Sequence, residues 1–238
     1  MNRITVFRYE LKRLMFSREY LLLLAAVTAY SVSLLRGLVL YGVNYTAPFS
    51  LLTFSTYCYS LCPFFFVLLL VLCARQFKTS ERGAEAIIKT TCMPFHIFRL
   101  VRYGAIACAY LFAMVFPFAA CFLFYNLIFN YTDFGILLLP GVLIVVPPSV
   151  FLFGASMLFG NRKPAAIYIM LVGVLVLSAF KIPLPDLMDI IGTAAVQALY
   201  EGHDHAFSAA FIAGRFVLML VGFVSMIISL YKSKQHYT

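Results

Sequence analysis

Lys and Arg are distributed one-sidedly along a very apolar chain. Six apolar stretches can be drawn at about 20–39, 51–74, 103–129, 134–159, 164–180 and 207–230, each near the roughly 20 residues that a helix needs to cross a bilayer. With both termini on one side, that side collects Arg3, Arg8, Lys12, Arg13, Arg18, Arg75, Lys78, Arg82, Lys89, Arg99, Arg102, Arg162, Lys163, Lys232 and Lys234. The other side keeps Arg36, Lys181 and Arg215. Loops rich in Lys and Arg stay cytoplasmic. Asp133, Asp186, Asp189, Glu201 and Asp204 fall on the opposite, outer side. One assumption therefore orders most of the charge.

The chain is 63% hydrophobic and only 11% charged, with a mean hydropathy of +0.96. Soluble domains carry about 25% charged residues. The expectation is one all-α transmembrane domain over residues 1–238, in a plasma membrane, with a bacterial source. The net charge of +9 follows from the inside bias, so no nucleic-acid partner is expected. The lipid bilayer is the expected partner of those cations. No cleavable signal is expected, because the first apolar run is about twenty residues long and lacks a small-residue cleavage site. Asn44-Tyr45-Thr46 and Asn130-Tyr131-Thr132 fit a glycosylation pattern that is silent in bacteria. Cys58, Cys62, Cys73, Cys92, Cys108 and Cys121 read as small packing residues in reducing or apolar surroundings. No disulfide and no metal site are expected from them.

Residues 2–19 carry Ile4, Phe7, Leu11, Leu14 and Met15 at helical spacing, with Arg3, Arg8, Glu10, Lys12 and Arg13 on the other face. Such a stretch reads as an amphipathic helix lying in the membrane interface, with Arg8, Lys12 and Arg13 toward the headgroups. The inner loop 75–102 contains a second amphipathic pattern. Ala84, Ile87, Ile88 and Thr91 form one face, and Glu81, Glu85 and Lys89 another. Glu85 and Lys89 are a favourable i,i+4 pair. Met93-Pro94 stops that helix. A further short helix follows, with Phe95, Phe98 and Val101 toward lipid and His96, Arg99 and Arg102 toward water, running directly into the third span.

The topology, the segment Glu81-Arg82-Gly83-Ala84-Glu85-Ala86-Ile87-Ile88-Lys89 and the following Met93-Pro94-Phe95-His96 resemble the permease subunit of an ATP-binding-cassette exporter of the ABC-2 type. The local likeness covers about residues 78–103. It implies a cytoplasmic coupling helix seated on an ATPase subunit, with Glu81, Gly83, Glu85, Ile88, Lys89 and Pro94 at the contact. It implies that 2–19 lies near that ATPase, and that a short helical segment within 181–206 dips back into the membrane from outside. Spans two and five would line the axis of a pair of permease chains, same or related. Among the polar residues of span two, Thr56, Tyr59 and Ser60 would face the path.

The chain has no Gly-x-x-x-x-Gly-Lys-Ser/Thr loop, so the resemblance assigns ATP and Mg to the partner ATPase, and neither a cofactor nor a catalytic residue to this chain. The implied cargo is amphipathic or hydrophobic: a peptide, lipid or drug. The alternatives are a non-transporting immunity, assembly or sensor protein, or a secondary transporter, although the sequence places no acid near a bilayer midplane. The bland readings of the remaining features are hydroxyls of span two bonded to their own helix, a static kink at Pro147-Pro148, and a solvated His203-Asp204-His205. Arg215 reads as snorkelling or paired with Asp186 or Asp189, or as a contact for an anionic substrate.

Overall fold

The computed structural model describes residues 3–39, 50–77, 94–180, 185, 189–193 and 207–235. Among these residues there are seven α-helices and no strand. They are α1 (Arg3–Met15), α2 (Arg18–Leu34), α3 (Leu51–Gln76), α4 (Phe95–Phe129), α5 (Phe134–Gly160), α6 (Ala165–Phe180) and α7 (Ala209–Gln235). A π-helical turn, Leu35–Val39, extends α2.

Five of the helices are long and apolar enough to cross a membrane. This is the build of a multi-pass membrane protein, in which only helices or closed barrels satisfy the backbone within lipid. α6 has 16 residues, about 24 Å at 1.5 Å per residue, short of a hydrocarbon core of roughly 30 Å. α4 has 35 residues, about 52 Å, and overshoots the same thickness.

Local chemistry sets the boundaries. Ser17 breaks α1 from α2, and its hydroxyl accepts the Tyr20 N–H at 3.3 Å. Ser50 does the same for α3 through Thr53 N–H at 3.2 Å. Asn130 closes α4 in the left-handed region, φ 51°, which Asn tolerates better than most residues. Pro164 precedes the first residue of α6, but Asn161 does not cap that helix. Its side-chain oxygen accepts from Arg99 Nη2 at 2.9 Å.

The core is a bundle in which α5 packs on α3 and α7, α6 on α3, and α1 along α4. The α5–α7 crossing is set by two glycines. A Cβ at Gly222 would stand 2.5 Å from the Val150 carbonyl oxygen, and one at Gly154 would collide with the Gly222 carbonyl. Small residues let helix backbones meet in this way where lipid removes the hydrophobic drive. Pro140, Pro147 and Pro148 all lie within α5, which remains one helix.

Buried hydroxyls cross-link the bundle. The Tyr20 hydroxyl donates to the Ala109 carbonyl at 2.9 Å. Tyr57 donates to the Pro117 carbonyl at 2.9 Å and meets Ser31 at 2.7 Å. Tyr110 meets Ser149 at 2.7 Å. Tyr103 meets Ser229 at 3.0 Å, and Ser229 donates to the Met157 carbonyl at 3.0 Å. Each of these hydroxyls, removed from water, thereby finds a partner. The helices alternate in direction, so one end of the bundle carries α1 and the starts of α2, α4 and α6. That end is called the basic end below, and the other the far end.

Candidate functional site

Two charged clusters stand out, one toward each end. At the basic end, Glu10 of α1 is 7% exposed. Its carboxylate accepts from Arg13 Nη2 at 2.6 Å and lies 3.8 Å from Arg102 Nε of α4. Arg102 is 3% exposed and lies 5.5 Å from the Phe98 ring centroid. Beside this group Arg75 of α3 stands 3.5 Å from Glu19 of α2.

This arrangement corrects two expectations. Glu10 shares the buried face of α1 with Val6 and Leu14, while Ile4 is exposed. Phe7, Leu11 and Met15 are partly buried against the core. Arg99 and Arg102 likewise point into the protein instead of toward water. In each case an acceptor waits: Glu10 for Arg102 and Asn161 for Arg99. A buried cation with a partner costs far less than one without. Arg8 and Lys12 are exposed, and Arg13 is half-buried at its ion pair.

Glu81, Gly83, Glu85, Ile88 and Lys89 lie outside the described residues, as do His203, Asp204, His205, Cys92 and Asp186. Pro94 is described. It is exposed and directly precedes α4, where Ile97 and Phe98 N–H groups bond its carbonyl at 3.0 and 3.2 Å.

The three residues singled out in span two divide. Thr56 is buried and donates to the Leu52 carbonyl at 2.7 Å. Ser60 donates to the Thr56 carbonyl at 2.8 Å. Both hydroxyls are thus spent on their own helix. Tyr59 reaches outward to the Thr193 side chain.

That contact belongs to the far-end cluster. Residues 189–193 pack among the helices toward the far end. Asp189, Ile191 and Gly192 are buried, and a Cβ at Gly192 would lie 3.9 Å from Ile144 Cγ2. Ile144 stands ten residues into α5, about 15 Å from that end. Within this segment Asp189 is 1% exposed. A buried acid thus sits here and not within one of the long helices.

Beneath the segment lies Arg215 of α7, also 1% exposed. It is six residues from the start of its helix, about 9 Å. Its Nη1 donates to the Ile190 carbonyl at 3.2 Å. Its guanidinium carbon sits 4.3 Å from the Phe211 ring centroid, within cation–π range. Asp189 and Cys62 interact with it electrostatically. The Asp189 carboxylate is itself engaged with the Gly192 N–H at 2.8 Å. Gly192 has φ +94°, a conformation that favours glycine.

Gly192 and Phe211 were not singled out from the sequence, and Ile190 was read only as part of an apolar stripe. The only legible signal was a glycine three residues after an acid, a common turn pattern.

An open groove of about 420 Å³ between α4 and α5 is lined by Leu111, Met114, Phe118, Phe122, Val142 and other apolar groups. It has none of the convergent polar groups that mark a ligand site. Among the described residues no group of His, Cys, Asp and Glu is placed to hold a metal ion. No protein-family model, curated protein or solved structure matches the chain.

Proposed function

We propose that this chain is the membrane-spanning subunit of an ATP-driven exporter, in keeping with its resemblance to ABC-2 permeases. In this reading it has six spans, with α6 as the fifth, and both termini in the cytoplasm of a bacterial cell. Two such chains, same or related, enclose the path. A separate ATPase subunit binds ATP and Mg and docks on residues 80–94, with Glu81, Gly83, Glu85, Ile88, Lys89 and Pro94 at the contact.

The observation that carries this reading is the mechanical continuity at the basic end. α4 begins immediately after Pro94 and continues unbroken for 35 residues. α1 lies along it, fastened by Glu10 to Arg102. A push delivered to the 80–94 segment travels down one stiff rod, and α1 travels with it. A helix long enough to overshoot the bilayer, clamped at its overhanging end, suits force transfer better than passive anchoring.

Purification of the full chain from its own cells, followed by identification of the co-purifying subunits, is the test. The expected result is a nucleotide-binding ATPase whose recovery falls on Glu81→Lys or Glu85→Lys. Full recovery and undiminished ATP-dependent transport in both variants would overturn the coupling site. Orientation is checked with Lys89→Cys in a chain lacking its native cysteines. Labelling by an impermeant maleimide from outside intact cells would overturn the topology.

The buried Asp189 beside Arg215 favours a second reading, ion-coupled transport without an ATPase, since deep charges commonly serve such transporters. Transport by the purified chain alone in liposomes, driven by an ion gradient, would select it.

A further inference from the structure

Arg215 holds the largest side chain that is almost completely buried. Its three nitrogens are treated unequally. Nη1 is bonded to the Ile190 carbonyl. Among the described residues, Nε and Nη2 have no hydrogen-bond partner. Those two N–H groups form one edge of the guanidinium plane, the side-on fork that matches two oxygens of a carboxylate or phosphate. Buried N–H donors, above all charged ones, are rarely left unmet, because the loss is costly. Here the unmet pair is the one with the geometry of an anion receptor.

That edge is buried, with the main chain of Gly192 close against it. A Cβ at residue 192 would come within 3.2 Å of Nη2, and the residue is glycine. Asp189 lies near enough to offset the charge, yet its carboxylate is turned to the Gly192 N–H. Phe211 covers the guanidinium and leaves its in-plane N–H groups untouched. The roof is residues 189–193, held to α3 by Tyr59 and Thr193 and to α7 by the Ile190 carbonyl. An anion reaches the fork only when this short segment moves aside.

We infer that the Nε–Nη2 edge of Arg215 is a receptor for a single carboxylate or phosphate group, carried by a lipid headgroup or by a free amphipathic anion, that enters beneath the 189–193 segment. On binding, two charge-assisted hydrogen bonds form, and the anion takes over from Asp189 as counter-ion. The inference needs no ATPase and stands whether or not the chain is an exporter subunit.

The test uses the full chain purified in dodecyl maltoside. Inorganic phosphate and then dodecyl phosphate are titrated calorimetrically. In parallel the chain is placed in nanodiscs holding equal phosphatidic acid and phosphatidylcholine, and its retained lipid is read by native mass spectrometry. One anion per chain is expected. Dodecyl phosphate binding without retained phosphatidic acid indicates a free amphiphile, and retained phosphatidic acid indicates a lipid headgroup.

Arg215→Gln should weaken binding by about tenfold or more, the cost of losing a charge-assisted pair. Arg215→Lys keeps the charge without the fork and should also weaken it. Asp189→Asn should tighten binding several-fold, since the competing charge is gone while the amide oxygen still accepts the Gly192 N–H. The opposite signs separate anion binding from mere damage. Absence of saturable binding in the wild-type chain in both arms would overturn the inference, as would equal affinity in wild type and Asp189→Asn. These two readouts decide the matter even if Arg215→Gln does not fold.

Discussion

The two buried charge clusters solve one problem in opposite ways. At the basic end a carboxylate is placed between two guanidinium groups: Glu10 takes Arg13 at 2.6 Å and lies 3.8 Å from Arg102. The cavity they line with Arg75 and Gln76 is about 10 Å³, no larger than one water requires. At the far end a cation is sealed by main chain and an aromatic ring, with its acid turned to the Gly192 N–H. The first cluster joins two helices and leaves no room for a ligand. The second leaves part of its bonding capacity unused among the described residues. Burial alone therefore does not distinguish a fastening from a receptor. Single buried atoms such as Arg75 Nη1 and Gln76 Oε1 are also left open at the basic end, and what sets Arg215 apart is an adjacent Nε–Nη2 pair left open together.

The largest effect that would break this comparison is at Arg215. Arg215→Met should lower stability by roughly 3 kcal/mol, because Asp189 is left buried without its counter-charge. Adding Asp189→Asn should recover most of that loss, a coupling that adjacent charges show and distant sites do not. Melting temperatures of the single and double variants in the same detergent measure it. Additive losses would mean that the two charges do not compensate each other.

Much of the fold was legible in the sequence, because long apolar runs between basic loops leave few choices. Of the helix boundaries, the stop at Met93-Pro94 was read from the sequence, while the caps Ser17, Ser50 and Asn130 come from the structure. Which way the charged residues turn was not legible. Arg99, Arg102 and Glu10 each read as water-facing from helical spacing, yet each is buried. Their direction is decided by partners remote in sequence: Asn161 for Arg99, and Arg102 for Glu10. Periodicity within one helix carries no information about such partners. The far-end site failed for a related reason. Asp189 stands in the 181–206 stretch, where the resemblance implies a segment dipping into the membrane but gives no contact for any of its side chains. Only the fold shows Asp189 accepting the Gly192 N–H, with Gly192 beside Ile144 and Arg215. Arg215 itself was visible as an unusual charge in an apolar run, and Asp189 was one of two acids considered beside it.

A middle-sized effect is expected at Glu10. Glu10→Gln removes the charge that Arg13 and Arg102 share and should cost about 1–2 kcal/mol, the worth of a charge-assisted bond. The loss should be local. Phe7 packs toward Gly104, where a Cβ would lie 3.6 Å from Phe7 Cε2, so a cysteine at position 7 reports whether α1 stays on α4. Maleimide should label Phe7→Cys faster in the Glu10→Gln background, with all native cysteines removed. Unchanged labelling would show that apolar packing alone holds α1 in place.

The smallest effect is expected nearby, where the same charge types meet in the open. The Glu19 side chain is 49% exposed and Arg75 is 23% exposed, with 3.5 Å between them. Exposed pairs are worth about 0.2–1 kcal/mol, and salt screens them further. Glu19→Gln should thus shift the melting temperature by less than Glu10→Gln, and the small difference should vanish on raising salt. The Glu10 effect should persist at the same ionic strength, because its carboxylate is screened by protein and not by solvent. Equal losses for the two variants at high salt would mean that burial is not what makes the Glu10 contact matter. The division between a sealed fastening and an open ion pair at the basic end would then have to rest on geometry instead.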